Sequence, residues 1–131
     1  MAYYLDTSAL VKLIVREAES TALRSWIESE GAVLVSSDLA RTELMRAVSR
    51  ASGNYLLQAR LVLDSITILT ISTAIFESAG RLSPSTLRTL DALHLASALE
   101  LGDDLEALIT YDDRLADACM ANGIPTLSPN S

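Results

Sequence analysis

Cysteine is nearly absent from this chain. Cys119 stands alone among 131 residues, so no internal disulfide can form. An apolar stretch approaching the roughly 20 residues of a membrane span is also missing. No cationic leader precedes an apolar run, and position 6 is already acidic, so no secretory signal is expected. These absences point to a soluble, cytoplasmic protein with no membrane association. There is no internal repeat, low-complexity segment or linker, and the length suits one domain, so residues 1–131 are expected to fold as a single unit. Half of the chain is hydrophobic, enough for a sizeable core.

Excess positive charge is lacking too. Ten Lys and Arg face seventeen Asp and Glu, for a formal net charge of −7. Residues 1–60 balance seven bases against seven acids, and residues 61–131 carry three bases and ten acids, so all the excess lies in the second half. That balance excludes a nucleic-acid binder held by bulk electrostatics, though not a local basic groove. Nine of the ten cations are arginine, the side chain suited to bidentate phosphate contacts; most of them read as solvated helix faces.

What is present alternates. Ala2–Leu5 reads as a short buried strand, followed by helices over Ser8–Val15 and Ala18–Glu30. The run "AVLVS", Ala32–Ser36, predicts a strand buried on both faces. A helix is expected from Asp38 to about Ala51, a break at "SGN" (52–54), and a helix over Tyr55–Ser65. Ile66–Ile71 reads as strand and Ser72–Gly80 as a short helix. Pro84 opens a long helix to Leu101, stopped by Gly102. Ala107–Thr110 is expected as strand, Asp113–Asn122 as helix, Pro125–Leu127 as a last strand, and "SPNS" as a frayed end. Strands alternating with helices predict an α/β sandwich on a parallel sheet.

Four carboxylates do not fit a solvated role. The helix from Asp38 carries Ala40, Leu44, Ala47, Val48 and Ala51 on one face, and helical spacing puts Glu43 there. Asp91 lies four residues from both Leu87 and Leu95, again on an apolar face. A carboxylate in such a place is costly unless it is paired or binds a cation, and an arginine such as Arg46 could pair Glu43. His94 lies beside Asp91; a lone histidine on a helix reads as a packing or hydrogen-bonding residue, and Mg2+ prefers oxygen ligands. Asp6 and Asp112 follow strands, where parallel α/β sheets place their sites. Each could instead be a helix N-cap. Read together, the four acids can converge on one pocket, where their repulsion calls for a divalent cation such as Mg2+ or Mn2+. Such ions serve phosphoryl-transfer chemistry, so the residues point to an acidic metal site for phosphodiester hydrolysis. Two rivals stand beside this reading. A haloacid-dehalogenase-type phosphotransferase also begins at a strand-end Asp, but needs a second Asp where Ser8 stands. A non-catalytic interaction module could pair the acids with a partner's arginines.

The segments "YYLDTSALVKLIVRE" (3–17), "ARTELMRA" (40–47), "LDALHLASALELG" (90–102) and "LITYDDRLADACMANGI" (108–124) resemble the PIN domain family, and within it the VapC-type toxins of bacterial toxin–antitoxin pairs. The resemblance spans the chain in order and spacing. It implies a three-layer α/β/α sandwich with a central, mainly parallel sheet and a ribonuclease dependent on Mg2+ or Mn2+. By position, the family's acids fall on Asp6, Glu43, Asp91 and Asp112, with Thr110 as the hydroxyl of a Thr-x-Asp motif and Ser8 close to the site. Asp113 competes with Asp112 for the fourth position, and the Thr-x-Asp spacing favours Asp112. The resemblance further implies an RNA substrate, a homodimer and a cognate small antitoxin. Arg16, Arg41 and Arg46 are the candidates for holding the RNA backbone.

Overall fold

A computed structural model of the chain describes residues 1–51 and 53–130. Five strands, β1 (Ala2–Leu5), β2 (Val33–Ser37), β3 (Thr67–Leu69), β4 (Leu105–Ile109) and β5 (Thr126–Leu127), form one sheet in the order β3-β2-β1-β4-β5, every pairing parallel. The helices are α1 (Thr7–Lys12), α2 (Ser20–Glu30), α3 (Leu39–Ser49), α4 (Leu56–Ser65), α5 (Thr73–Gly80), α6 (Thr89–Leu99) and α7 (Asp113–Ala121).

Strand alternation decides the layers. Leu5 and Ile109 face one side of the sheet, where they pack with Ala9 and Leu10 of α1, Leu23 of α2, Ala40, Leu44 and Val48 of α3, and Ala59 and Leu63 of α4. Tyr4 and Leu108 face the other side, against Leu95 and Ala98 of α6 and Leu115, Ala118 and Cys119 of α7. Helix α5 leans on α6 through Ile75, Ala79, Ala92 and Ala96. The result is the expected three-layer α/β/α sandwich. Strand order reverses between β1 and β4, the two central neighbours. A crevice opens outside the carboxyl ends of strands at such a reversal, and Asp6 and the segment Thr110–Asp112 leave the sheet there.

The structure corrects several expected boundaries. The long helix does not begin at Pro84: residues 81–88 are turns, Leu87 N–H donates to Pro84 O, and Arg88 is the N-cap of α6 with extended backbone. Leu87 therefore joins the core from a loop, and Asp91 lies in the first helical turn. The first helix stops at Lys12 instead of Val15: Leu13 and Ile14 N–H donate three residues back, to Leu10 O and Val11 O, and the chain turns away, with Arg24 on the Leu13 carbonyl and Ser20 Oγ on the Val15 carbonyl. β2 is not buried on both faces throughout. Val33 is 53% exposed, since β3 pairs only from Val35 onward. β4 ends at Ile109, so both Thr110 and Tyr111 precede Asp112. The C-terminal segment is tied down as far as Pro129, whose carbonyl accepts from Tyr111 Oη, while Ser128 Oγ donates to Thr110 O. Ser52 of the "SGN" break and the terminal Ser131 lie outside the described residues. Among the described residues no helix is long and apolar enough to cross a membrane.

Candidate active site

β1 ends into Asp6, which is 4% exposed. Its backbone is extended, as an N-cap requires, and Oδ1 accepts from Ala9 N–H at 3.0 Å. Capping is only part of its use. Ser8 Oγ donates to Oδ1 at 2.7 Å, and Thr110 Oγ1 donates to Oδ2 at 2.6 Å. Thr110 Oγ1 in turn accepts from Asp112 N–H, and Ser8 Oγ from Tyr111 N–H, so β1's end and the loop after β4 are laced together through two hydroxyls. Burial pushes the Asp6 carboxyl above its ordinary range, against the pull of Thr110, Ser8, His94 and Ala9. Ser8 and Thr110 thus both lie in contact with Asp6.

Asp112 is also an N-cap: its Oδ1 accepts from Arg114 N–H at 2.9 Å. It is half-buried, whereas Asp113 is exposed on the first turn of α7. Asp91 is half-buried and receives no hydrogen bond on either oxygen among the described residues. Burial and then the nearby Asp112 raise its carboxyl, with Asp6 adding to the rise and His94 and Arg88 opposing it. Asp91 therefore feels both Asp112 and Asp6 at the crevice.

Glu43 arrives differently. It reaches out from α3, and its Oε1 takes both Thr7 Oγ1 at 2.7 Å and His94 Nε2 at 2.6 Å. Burial alone would raise this carboxyl, but the His94 bond and charge and the Thr7 hydroxyl outweigh burial and hold it below its ordinary range. No arginine pairs with it among the described residues: Arg46 stands nearby without an ion pair. His94, 3% exposed, is a hydrogen-bonding residue as its isolation in the sequence suggested, with Nδ1 on Tyr4 Oη at 2.8 Å.

The donors suit a hard cation. Both oxygens of Asp91, Oδ2 of Asp112 and Oε2 of Glu43 carry no hydrogen bond among the described residues, and Asp6 Oδ2 has one. As the side chains lie, however, no three His, Cys, Asp or Glu groups among the described residues are arranged to hold one metal ion. Mg2+ does not demand such a cage, since it keeps several waters and binds through one or two carboxylates.

Two cavities flank the first turn of α6. One, of about 360 Å³, is lined by Asp91, Arg88, Arg114 and Asp117. The other, also about 360 Å³, is lined by Thr7, Glu43, Arg46, Arg50 and Leu90. Arg46 is thus beside the acids, and Arg50, Arg88 and Arg114 join it although the sequence did not single them out. Arg88 lies three residues before Asp91, and that spacing was the available signal. Arg41 instead pairs with Asp38 at 3.6 Å, and Arg16 lines a separate small cavity with Lys12 and Arg24.

A model of the PIN domain family matches residues 3–120. The chain belongs to the PIN domain family. Among curated proteins, this PIN domain is 45% identical over 129 residues to ribonuclease VapC46 of Mycobacterium tuberculosis H37Rv, covering 98% of each chain. It is 41% identical over 132 residues to ribonuclease VapC47 of Mycobacterium tuberculosis CDC 1551, covering 98% of this chain and 97% of that one. These relatives make it a VapC-type PIN domain. Its fold is similar to the crystal structure of Mycobacterium tuberculosis VapC20, a sarcin–ricin loop cleaving toxin, with a TM-score of 0.76 at 17% identity over 98% of this chain and all of that one. It is also similar to VapBC2 from Rickettsia felis bound to a promoter DNA fragment, with a TM-score of 0.70 at 17% identity over 97% and 98% of the two chains. At these identities the likeness shows the fold alone.

Proposed function

We propose that this PIN domain is a divalent-metal-dependent endoribonuclease and the toxin of a toxin–antitoxin pair. The observation that carries the reading is the placement of Asp91 and Asp112, with unbonded oxygens, beside a buried Asp6 at the sheet's reversal point. The VapC relatives named as ribonucleases supply the substrate class.

In this reading Asp6, Glu43, Asp91 and Asp112 hold Mg2+ or Mn2+. When bound, the ion acidifies an attacking water and neutralises charge on the scissile phosphate. Asp91, half-buried with both oxygens unbonded among the described residues, is the carboxylate suited to take the proton from that water. Asp6 is held in place by the Ser8 and Thr110 hydroxyls. Asp113, exposed beside Asp112, adds negative potential at the rim. Arg46 and Arg50 on one side, and Arg88 and Arg114 on the other, take phosphates of the strand as it crosses the first turn of α6. Arg41 and Arg16 serve at most as outlying contacts.

A small antitoxin with a cationic side chain fits as the plug of this acidic crevice, and the working unit is a homodimer. The test is cleavage of total cellular RNA in Mg2+, in EDTA, and by Asp91→Asn. Cleavage lost in the last two supports the reading. Equal cleavage in all three overturns it.

A further inference from the structure

His94 is buried on α6, yet its outward nitrogen meets a half-buried carboxylate instead of a backbone group. Its inward nitrogen meets Tyr4 Oη, which donates to Ser37 Oγ at 2.9 Å. The Tyr4 and His94 rings meet edge-on, with centroids 5.8 Å apart. A ladder therefore runs Ser37, Tyr4, His94, Glu43, Thr7, drawing on β2, β1, α6, α3 and α1 in turn. Every rung from Ser37 to His94 is buried, so the ladder is anchored at its core end and opens to solvent only at Glu43 and Thr7, which line the cavity beside Arg46 and Arg50.

The ladder has a consequence for the carboxylate at its end. A glutamate on a helix has three rotatable bonds and two equivalent oxygens, and left alone it can present either or both to a cation. Here both of its tethers close on Oε1, leaving Oε2 without a partner among the described residues. A carboxylate tied in this way offers one oxygen in one direction. Bidentate carboxylates suit Ca2+, with its six to eight loose ligands, whereas Mg2+ and Mn2+ accept single carboxylate oxygens alongside water.

We propose that His94, backed by Tyr4 and Ser37 and helped by Thr7, is a positioning residue that makes Glu43 a single-oxygen ligand. Groups behind metal ligands commonly tune affinity by 10–100-fold. The inference rests on the acidic crevice holding a divalent cation, as proposed above.

Substitution at position 94 separates positioning from packing. Glutamine can keep a donor near the place of Nε2, toward Glu43; asparagine can keep one near Nδ1, toward Tyr4. Both shorten the core contact. Calorimetric titration of the full chain with Mn2+ is expected to show His94→Asn about tenfold weaker than wild type and His94→Gln within about threefold, with similar melting temperatures in EDTA. Both variants binding Mn2+ alike while wild type binds it would overturn the positioning role and leave the metal reading standing. Wild type failing to bind Mn2+ would overturn both. Should His94→Asn fail to fold, Tyr4→Phe carries the test, since it removes one hydroxyl and keeps the ring. It is expected to weaken Mn2+ binding about threefold, and an unchanged affinity overturns the inference.

Discussion

The crevice has two halves built on opposite rules. On the sheet side, Asp6 is almost wholly buried and receives three hydrogen bonds, from Ser8, Ala9 and Thr110. On the helix side, Asp91 sits in the first turn of α6, half-buried, with neither oxygen hydrogen-bonded among the described residues. Asp6 is therefore a structural brace as well as a candidate ligand. Asp91 contributes nothing visible to folding beyond a favourable place at a helix N-terminus, so a role in binding a cation, as proposed above, accounts for it better than a structural one. An acid that stabilises its surroundings is weak evidence of function; an acid with unbonded oxygens, among other acids, is stronger.

The sharpest break of that comparison is a pair of substitutions. Asp91→Asn is expected to lower RNA cleavage by more than about 100-fold without lowering the melting temperature in EDTA. Asp6→Ala is expected to lower cleavage as much and also to destabilise the chain by about 2–4 kcal/mol, because it removes an N-cap and leaves the Thr110 and Ser8 hydroxyls searching for acceptors. Denaturant melts of both variants check this. Equal stability losses would erase the distinction between the halves.

Acidity sharpens the same contrast. The Asp6 and Asp91 carboxyls both titrate above the ordinary range in the folded chain. The folded state then holds protons that the unfolded chain has released, so each acid lowers stability as pH rises from the ordinary carboxylate value through its raised folded value. In EDTA, Asp91→Asn should gain on wild type over that window, from about pH 4 upward. Saturating Mg2+ should remove the gain, because the ion favours the ionised form in wild type. Glu43 has the opposite sign: its stabilisation is full above the ordinary value and is lost as pH falls through its depressed one. Melting curves against pH, with and without Mg2+, read both effects.

Smaller effects come from the rims. Thr110→Val keeps the shape but loses the bond to Asp6 and the acceptor for Asp112 N–H, for about 1–2 kcal/mol of stability. Arg46→Ala should raise KM a few-fold with kcat unchanged, and reduce the salt dependence of binding by about one phosphate contact. Steady-state cleavage at several salt concentrations measures it.

Much of the frame was legible in the sequence because it depends on local period. Alternating apolar runs and their breaks located all five strands, and a carboxylate directly after β1 placed Asp6 at a strand end. Asp6 and Asp112 each fit two descriptions, cap and site residue, and the structure gives both acids a capping bond while also bringing them into reach of Asp91. The start of α6 departs from the expectation because Pro84 suits the first turn of a helix in general, while here the chain turns through residues 81–88 before Arg88 caps α6. The ladder from Ser37 to Glu43 was not legible at all. Tyr4 and His94 are 90 residues apart, and their meeting is a product of β1 and α6 packing face to face. The arginines were hidden for the same reason: Arg50 and Arg114 come to the crevice from α3 and α7, and no spacing rule links them.

The most direct test of the central account is a crystal structure of the chain soaked in Mn2+, read by the anomalous signal of the ion. The expected result is an ion touching both Asp6 and Asp91, with the Ser8 and Thr110 bonds to Asp6 unchanged and Glu43 turning a single oxygen toward it. An ion absent from the crevice, or bound only at outlying acids such as Asp103 and Asp104, would contradict the account.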